Sequence, residues 1–337
     1  MSLYISLYNF YQSLLRKTIN TQVYKKPTCN ILLFGKEYQC IMWEKWFLGV
    51  TLRRIQILWV ENLAWHTSNE RKQELLAITK KYKPLFIQLG CIDTIGTNTR
   101  KQLQDENIVK DLIMTRQKRN TAHQDEWFRL SLKENLPPST YIIDLTIDRE
   151  ILYQNLGSQH TQKIKKALKS DIHILPATKQ DITWFFSILQ NTGQQKWFGT
   201  ISIASYNNLL QWLQDNNCWW LYVAKKWDTI LAWAVYLIDE AAKTAIYLYW
   251  ATDRSSATLG ASHLLHREIW ETLRKSGIHT IDLLGWAPTG YDKHHLASVW
   301  AFKEWFGGMK IDFLGSFDIV YHPILYKIRC ILRNLSK

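Results

Sequence analysis

Short apolar runs and one strongly periodic segment alternate along the first half of the chain. Ile31-Leu32-Leu33-Phe34 and Arg54-Ile55-Gln56-Ile57-Leu58 are brief and rich in branched residues, the pattern of strands in a sheet. Residues 5–17 and 69–81 repeat apolar positions at three- and four-residue spacing, which predicts helices. Residues 84–89 read as a strand running into a turn at Gly90. The basic, polar stretch 116–124 predicts a loop, and Pro137-Pro138 marks a boundary before a strand at 141–145.

In the second half, the periodicity predicts a basic helix over 149–169 and helices near 181–190 and 203–213. Three strands follow at 221–224, 230–238 and 245–250, then a long amphipathic helix over 258–275 stopped by Gly277. A strand at 280–284, a loop, a helix at 296–306 and a strand at 311–314 complete the pattern. Helices, a three-stranded meander and then alternating elements predict an α/β (α+β) fold whose order is similar to that of the GNAT acetyltransferases. With 337 residues and roughly 100 to 200 per domain, two tandem GNAT-like domains with mixed central sheets are expected, 1–145 and 146–337.

Composition narrows the class. Charged residues make up 21% and hydrophobic ones 47%, a globular balance, and no run of 18 uncharged apolar residues is present. The opening residues lack the basic-then-apolar pattern of a secretory leader, so a cytoplasmic protein is expected. Five scattered cysteines, Cys29, Cys40, Cys91, Cys218 and Cys330, suggest neither a disulfide framework nor a zinc site. The net charge of +13 favours a polyanionic partner: RNA, a phosphorylated substrate or an anionic membrane surface.

Three phrases carry chemistry. Tyr247-Leu248-Tyr249-Trp250-Ala251-Thr252-Asp253 is followed by Ile281-Asp282-Leu283-Leu284-Gly285, and then by Ala301-Phe302-Lys303-Glu304-Trp305-Phe306-Gly307-Gly308. In order and spacing they resemble the Fem family of peptidoglycan bridge-forming aminoacyltransferases. The strand at 141–145 with Lys163-Ile164-Lys165-Lys166-Ala167, and Gln12-Ser13, are similar to that family as well. The resemblance implies transfer of an amino acid from aminoacyl-tRNA to the stem-peptide amino group of a muramyl-peptide precursor, carried on UDP or on a lipid. Such an ester is already activated, so positioning and oxyanion stabilisation suffice, with no cofactor and no metal.

By that resemblance Lys303 is the catalytic lysine that steadies the tetrahedral intermediate or the tRNA terminus. Its helical context alone reads as a solvated lysine. Tyr249 matches a tyrosine lining the substrate cleft, against the alternative of a core aromatic on a strand. Lys163, Lys165, Lys166 and Lys169 share a helix and suit a tRNA backbone, or simply form a solvated face. Where the family often carries an arginine for the precursor's phosphates, this sequence has Gln195-Lys196, which makes Lys196 the substitute candidate, with Lys17 a second. Asp292, His294 and His295 lack the further ligand a metal would need.

Two other functions remain open. A coenzyme A-dependent N-acyltransferase needs a glycine-rich pyrophosphate turn, but residues 254–261 supply one late glycine. A non-catalytic RNA-binding protein would share the fold without the chemistry. Segment 322–337 sets Ile324, Leu325, Ile328, Ile331, Leu332 and Leu335 against Lys327, Arg329, Arg333 and Lys337. It suits peripheral contact with a membrane, although packing the apolar stripe inward is the commoner outcome.

Tryptophan numbers 17 and glycine 14, about 4% of the chain, where glycine usually makes up about 7%. Trp227, Trp233, Trp250, Trp286 and Trp305 fall where a turn or the family pattern asks for glycine. The excess is expected to reflect in part UGA codons that the host reads as glycine, against the alternative of true aromatics that fill cores or stack on a sugar or base. Trp227 or Trp286 should then show positive φ, or exposure without packing.

Overall fold

A computed structural model describes residues 28–33, 36–47, 50–60, 69–99, 105–122, 128–131, 138–178, 219–253, 258–285 and 302–335, with the isolated positions 102, 181, 184, 208, 211, 212, 215 and 289. The chain forms two compact units. One, the N-unit, comprises Asn20–Thr140, Gly285–Ala297 and Lys310–Lys337; the C-unit comprises Met1–Ile19, Tyr141–Leu284 and Ser298–Met309.

The N-unit opens with an antiparallel meander of β1 (Thr28–Leu33), β2 (Lys36–Phe47) and β3 (Val50–Val60). Helix α1 (Asn69–Tyr82) crosses back so that β4 (Phe86–Thr99) pairs parallel to β3, the connection a parallel pair requires. Helix α2 (Glu106–Ala122) and the short β5 (Phe128–Leu130) follow. The C-unit then takes β6 (Ser139–Asp144), α3 (Arg149–Gln154), α4 (Ser158–Leu168), β7 (His173–Pro176), β8 (Trp219–Lys226), β9 (Thr229–Asp239), β10 (Thr244–Thr252), α5 (Ala261–Lys275) and β11 (Thr280–Asp282). Finally β12 (Met309–Val320) and α6 (Pro323–Leu335) return to the N-unit.

Strand order in the N-unit is β1-β2-β3-β4-β12, with β5 paired to β12. Its core joins Ile31, Ile55, Ile57, Ile87 and Leu89 to Leu314, Phe317 and Ile319 from near the other end of the chain. In the C-unit the order is β6-β11-β10-β9-β8-β7, with β10 and β11 parallel and the remaining pairs antiparallel. The amphipathic α5 lays Leu264, Leu265, Ile269 and Leu273 on this sheet and against α4. Each fully buried side chain of this size contributes roughly 1.5–3 kcal/mol of transfer free energy. A mixed sheet built in the GNAT order is what the hydrophobic pattern predicts.

The local corrections have physical causes. The predicted loop at 116–124 is mostly helix, because α2 runs to Ala122 without glycine or proline and Asp105 caps its start by accepting from the Asn107 amide at 2.8 Å. The predicted helix over 149–169 is two helices. They break at Asn155-Leu156-Gly157, where the Gly157 amide leaves the helix ladder to donate to the Trp305 carbonyl at 2.8 Å. β12 is three times the length of the strand predicted within it. Gly277, at φ 77°, stops α5 as expected. The predicted helices at 5–17, 181–190 and 203–213 lie wholly or mostly outside the described residues.

Of the tryptophans, Trp227 has the geometry a glycine would choose. It occupies the first central position of the two-residue turn between β8 and β9, with φ 52°, and is 76% exposed with Lys226 Nζ 5.1 Å from its ring. Positive φ there belongs to the type I′ and II′ hairpin turns, where glycine is favoured. Trp233 is buried in β9, Trp250 stacks on Phe302, and Trp305 packs on Gly157 so tightly that a Cβ there would meet its ring at 2.1 Å. Those three fill space as true aromatics do. Trp286 lies outside the described residues.

Candidate functional site

Strand β11 ends in Asp282, whose buried carboxylate accepts from the Leu284 amide at 2.8 Å and turns the chain sharply. Leu284 is thereby held at φ 51°, a costly conformation for a branched residue and one that clusters at functional sites. The two carbonyls exposed by this turn, Leu283 and Leu284, accept from Lys303 Nζ at 2.7 and 2.5 Å. Lys303 is thus 6% exposed rather than the solvated lysine its helical context suggests. Burial lowers its ammonium to about 8, with the Asp282 carboxylate acting in the opposite direction.

What aims Lys303 is the aromatic packing around its neighbours. Phe302 stacks on Trp250 of β10 at 4.7 Å and 12°, and on His263 of α5 at 5.4 Å and 23°. Gly307, at φ 71°, and Gly308 let the turn after Lys303 close on its supports: a Cβ on Gly307 would meet the Asn155 carbonyl at 2.2 Å, and one on Gly308 the Ile142 carbonyl at 2.3 Å. Tyr249, half-buried, follows a bulge in β10 between Tyr247 and itself, a device that re-aims side chains. The packing brings Trp250 of β10 against Phe302, so the strand that carries Tyr249 meets the turn that carries Lys303.

Beneath this turn lies a cluster the sequence reading missed. His160 of α4 and His263 of α5 have ring centroids 4.1 Å apart, and His266 packs edge-on to Tyr247. His160 Nε2 donates to the Phe302 carbonyl at 3.3 Å. Trp270 Nε1 donates to the Tyr236 hydroxyl, which must then donate its own proton to His266 Nδ1 at 2.7 Å. Burial lowers His160 to about 4, His263 to about 2 and His266 to about 3, so all three are neutral bases. The available signal was the i, i+3 spacing of His263 and His266 on the face of α5 that also carries Leu264 and Ile269.

Lys163, Lys165, Lys166 and Lys169 all project into solvent, while His160, Ile164 and Ala167 bury the other face of α4. All four are exposed cations on one helix and its C-cap. Lys17 and Lys196 lie outside the described residues, as do Asp292, His294 and His295. Among the described residues no group of three or more His, Cys, Asp or Glu is placed to hold a metal ion. No helix among them is long and apolar enough to cross a membrane.

In the N-unit a second buried lysine sits in a different setting. Asp312 accepts from Ser139 Oγ at 2.5 Å, from the Thr289 amide at 3.1 Å and from Thr289 Oγ1 at 2.6 Å. Lys310 Nζ donates to Thr289 Oγ1 at 2.6 Å and stands 3.5 Å from the Asp312 carboxylate. Sequence spacing gave no hint of it.

Comparison with known proteins adds the family. A FemAB family model matches residues 222–334, which hold Tyr249, Lys303 and the strands between them. The structure called FemX shares the fold over the whole chain, with TM-score 0.68 at 15% identity, covering 97% of this chain and 98% of that one. The C-terminal domain of a putative lysylphosphatidylglycerol synthetase from Agrobacterium fabrum aligns at TM-score 0.48 and 10% identity over 98% of both chains. A predicted acetyltransferase from Clostridium acetobutylicum, solved with acetyl-CoA, covers 36% of this chain and 87% of its own at TM-score 0.29 and 18% identity. The comparison with curated protein sequences finds no match.

Proposed function

We propose that the protein is an aminoacyltransferase that moves an amino acid from aminoacyl-tRNA to the stem-peptide amino group of a peptidoglycan precursor. The observation that carries this reading is Lys303, a buried ammonium fixed at the end of β11 within the FemAB segment. The acceptor amine attacks the ester carbonyl, forming a C–N bond and a tetrahedral oxyanion. Collapse breaks the ester bond, and the proton lost by the amine leaves with the ribose hydroxyl. Lys303 supplies fixed positive charge to that oxyanion, a role worth about a hundredfold or more in rate. Tyr249 orients the acceptor through its phenol, Lys196 and Lys17 meet its phosphates, and Lys163, Lys165, Lys166 and Lys169 bind the tRNA.

The competing coenzyme A reading has a specific obstacle. In α5 the N-cap is Gly260, and a Cβ there would lie 2.3 Å from the Lys163 carbonyl. The backbone of α4 therefore lies against the helix N-terminus that would have to cradle a pyrophosphate. Incubating the full chain with a labelled aminoacyl-tRNA pool and both nucleotide-linked and lipid-linked acceptors tests the reading. Label in the acceptor is the expected result. RNA binding without transfer would favour a non-catalytic RNA-binding protein, and label transfer from acetyl-CoA would favour the acyltransferase.

A further inference from the structure

Helix α6 is fastened to the N-unit by its polar side. The Tyr326 hydroxyl donates to buried Asp318 at 2.6 Å, its ring meets Phe86 edge-on at 5.4 Å, and the Arg329 guanidinium lies 4.4 Å over Phe86. Cys330 packs against the same cluster. At 100° per residue these three positions share one side of the helix, and Ile324, Ile328 and Ile331 fall opposite, with Leu325 at the margin. Their exposures are 77%, 46%, 52% and 41%. A globular helix ordinarily turns its apolar stripe inward; this one turns it outward, and a contiguous exposed apolar face marks an interaction surface.

Charge identifies the partner. After Asp318 the chain contains no Asp or Glu, while Lys327, Arg329, Arg333 and Lys337 follow. Lys327 is exposed at the edge of the isoleucine face. A second copy of the chain would bring this uniformly cationic segment against itself, since a two-fold interface pairs a patch with its own image. An anionic bilayer complements both properties, taking the isoleucines into the acyl boundary and Lys327, at the edge of that face, against lipid phosphates. We propose that α6 docks the protein on anionic membrane surfaces.

Co-sedimentation of the full chain with vesicles tests this, using phosphatidylcholine alone and phosphatidylcholine with about one third phosphatidylglycerol. Binding at least tenfold tighter to the anionic vesicles, and weakening with salt, is expected. The double substitution Ile324→Asp with Ile328→Asp should weaken that binding at least tenfold while leaving the melting temperature unchanged, because both side chains are exposed. Equal binding by the variant, or failure of the parent to bind anionic vesicles at low salt, would overturn the proposal. So would a concentration-dependent dimer that the same substitutions abolish. Docking is read without any substrate, and transfer to a soluble acceptor should be unaffected in the variant, so each can fail alone.

Discussion

The two units bury positive and potentially positive groups in opposite ways. In the N-unit, Lys310 lies 3.5 Å from the Asp312 carboxylate inside a hydrogen-bonded set with Thr289 and Ser139. In the C-unit, Lys303 is held by two peptide carbonyls, and three neutral histidines sit below it with depressed basicity. Lys310 stands within ion-pair distance of a carboxylate, whereas Lys303 is anchored by two peptide carbonyls with the Asp282 carboxylate favouring its charge. The contrast separates two buried lysines, one on a helical turn and one on a strand.

Acid should break the symmetry of the units most strongly. The folded C-unit holds His160, His263 and His266 well below the usual histidine value near 6.5, so the unfolded chain binds more protons as pH falls. Their contribution to stability is therefore intact above about pH 6.5 and is lost as pH drops toward the folded values near 4, 3 and 2. By pH 5 the loss should reach several kcal/mol. Hydrogen exchange should show α4 and α5 opening first, with β1–β4 protected; simultaneous opening of both units would refute the contrast.

Next in size is the pair in the N-unit. Asp312→Ala strands a buried ammonium and should cost about 3–5 kcal/mol in urea unfolding, while Lys310→Met combined with Asp312→Leu should cost less than that single change. A milder single variant would mean that Lys310 escapes to water. Lys303→Ala should lower transfer on the order of a hundredfold, about 2.7 kcal/mol, with the fold kept. If the proposed transfer holds, it should fall in the parent chain as pH rises through about 8, where Lys303 gives up its proton, and Lys303→Arg should remove that decline. Persistence of the same limb in the arginine variant would assign it to another group. The smallest effect tests geometry rather than charge: Trp227→Gly should stabilise the C-unit by about 1 kcal/mol by relieving positive φ. The gene supplies an independent check, because UGG at Trp227 would end the recoding idea there and UGA would support it.

Much of this was legible in the sequence where one residue's chemistry sufficed. The strands, α1, α5 and the stop at Gly277 follow from periodicity and a glycine, and the Phe302-Lys303 motif singled out the lysine. The partners of Lys303 were not legible, since any residue offers a carbonyl and the turn at Leu284 depends on Asp282 reaching its amide. Nor was the histidine cluster, which joins α4 to α5 across a hundred positions of sequence. Polarity misled at 116–122, because charged and polar residues that are adequate helix formers read as a loop where no apolar periodicity marks them. For α6, amphipathicity was plain but its sense was inverted, since Tyr326 and Arg329 found Asp318 and Phe86 before the isoleucines found anything.

The return of β12 and α6 to the N-unit also governs the order in which a growing chain can take shape. Leu314, Phe317 and Ile319 complete a core begun by Ile31, Ile55 and Ile57, so β1 and β3 must wait for β12. Until residue 320 has left the ribosome, β4 lacks its neighbour β12 and presents an open strand edge prone to wrong pairing. The C-unit has all its strands once Asp282 is out, reversing the usual amino-terminal-first sequence. Closing contacts over such a long separation is expected to make the N-unit the slower half to fold, and pulsed hydrogen exchange during refolding should show β1–β4 protected after α5.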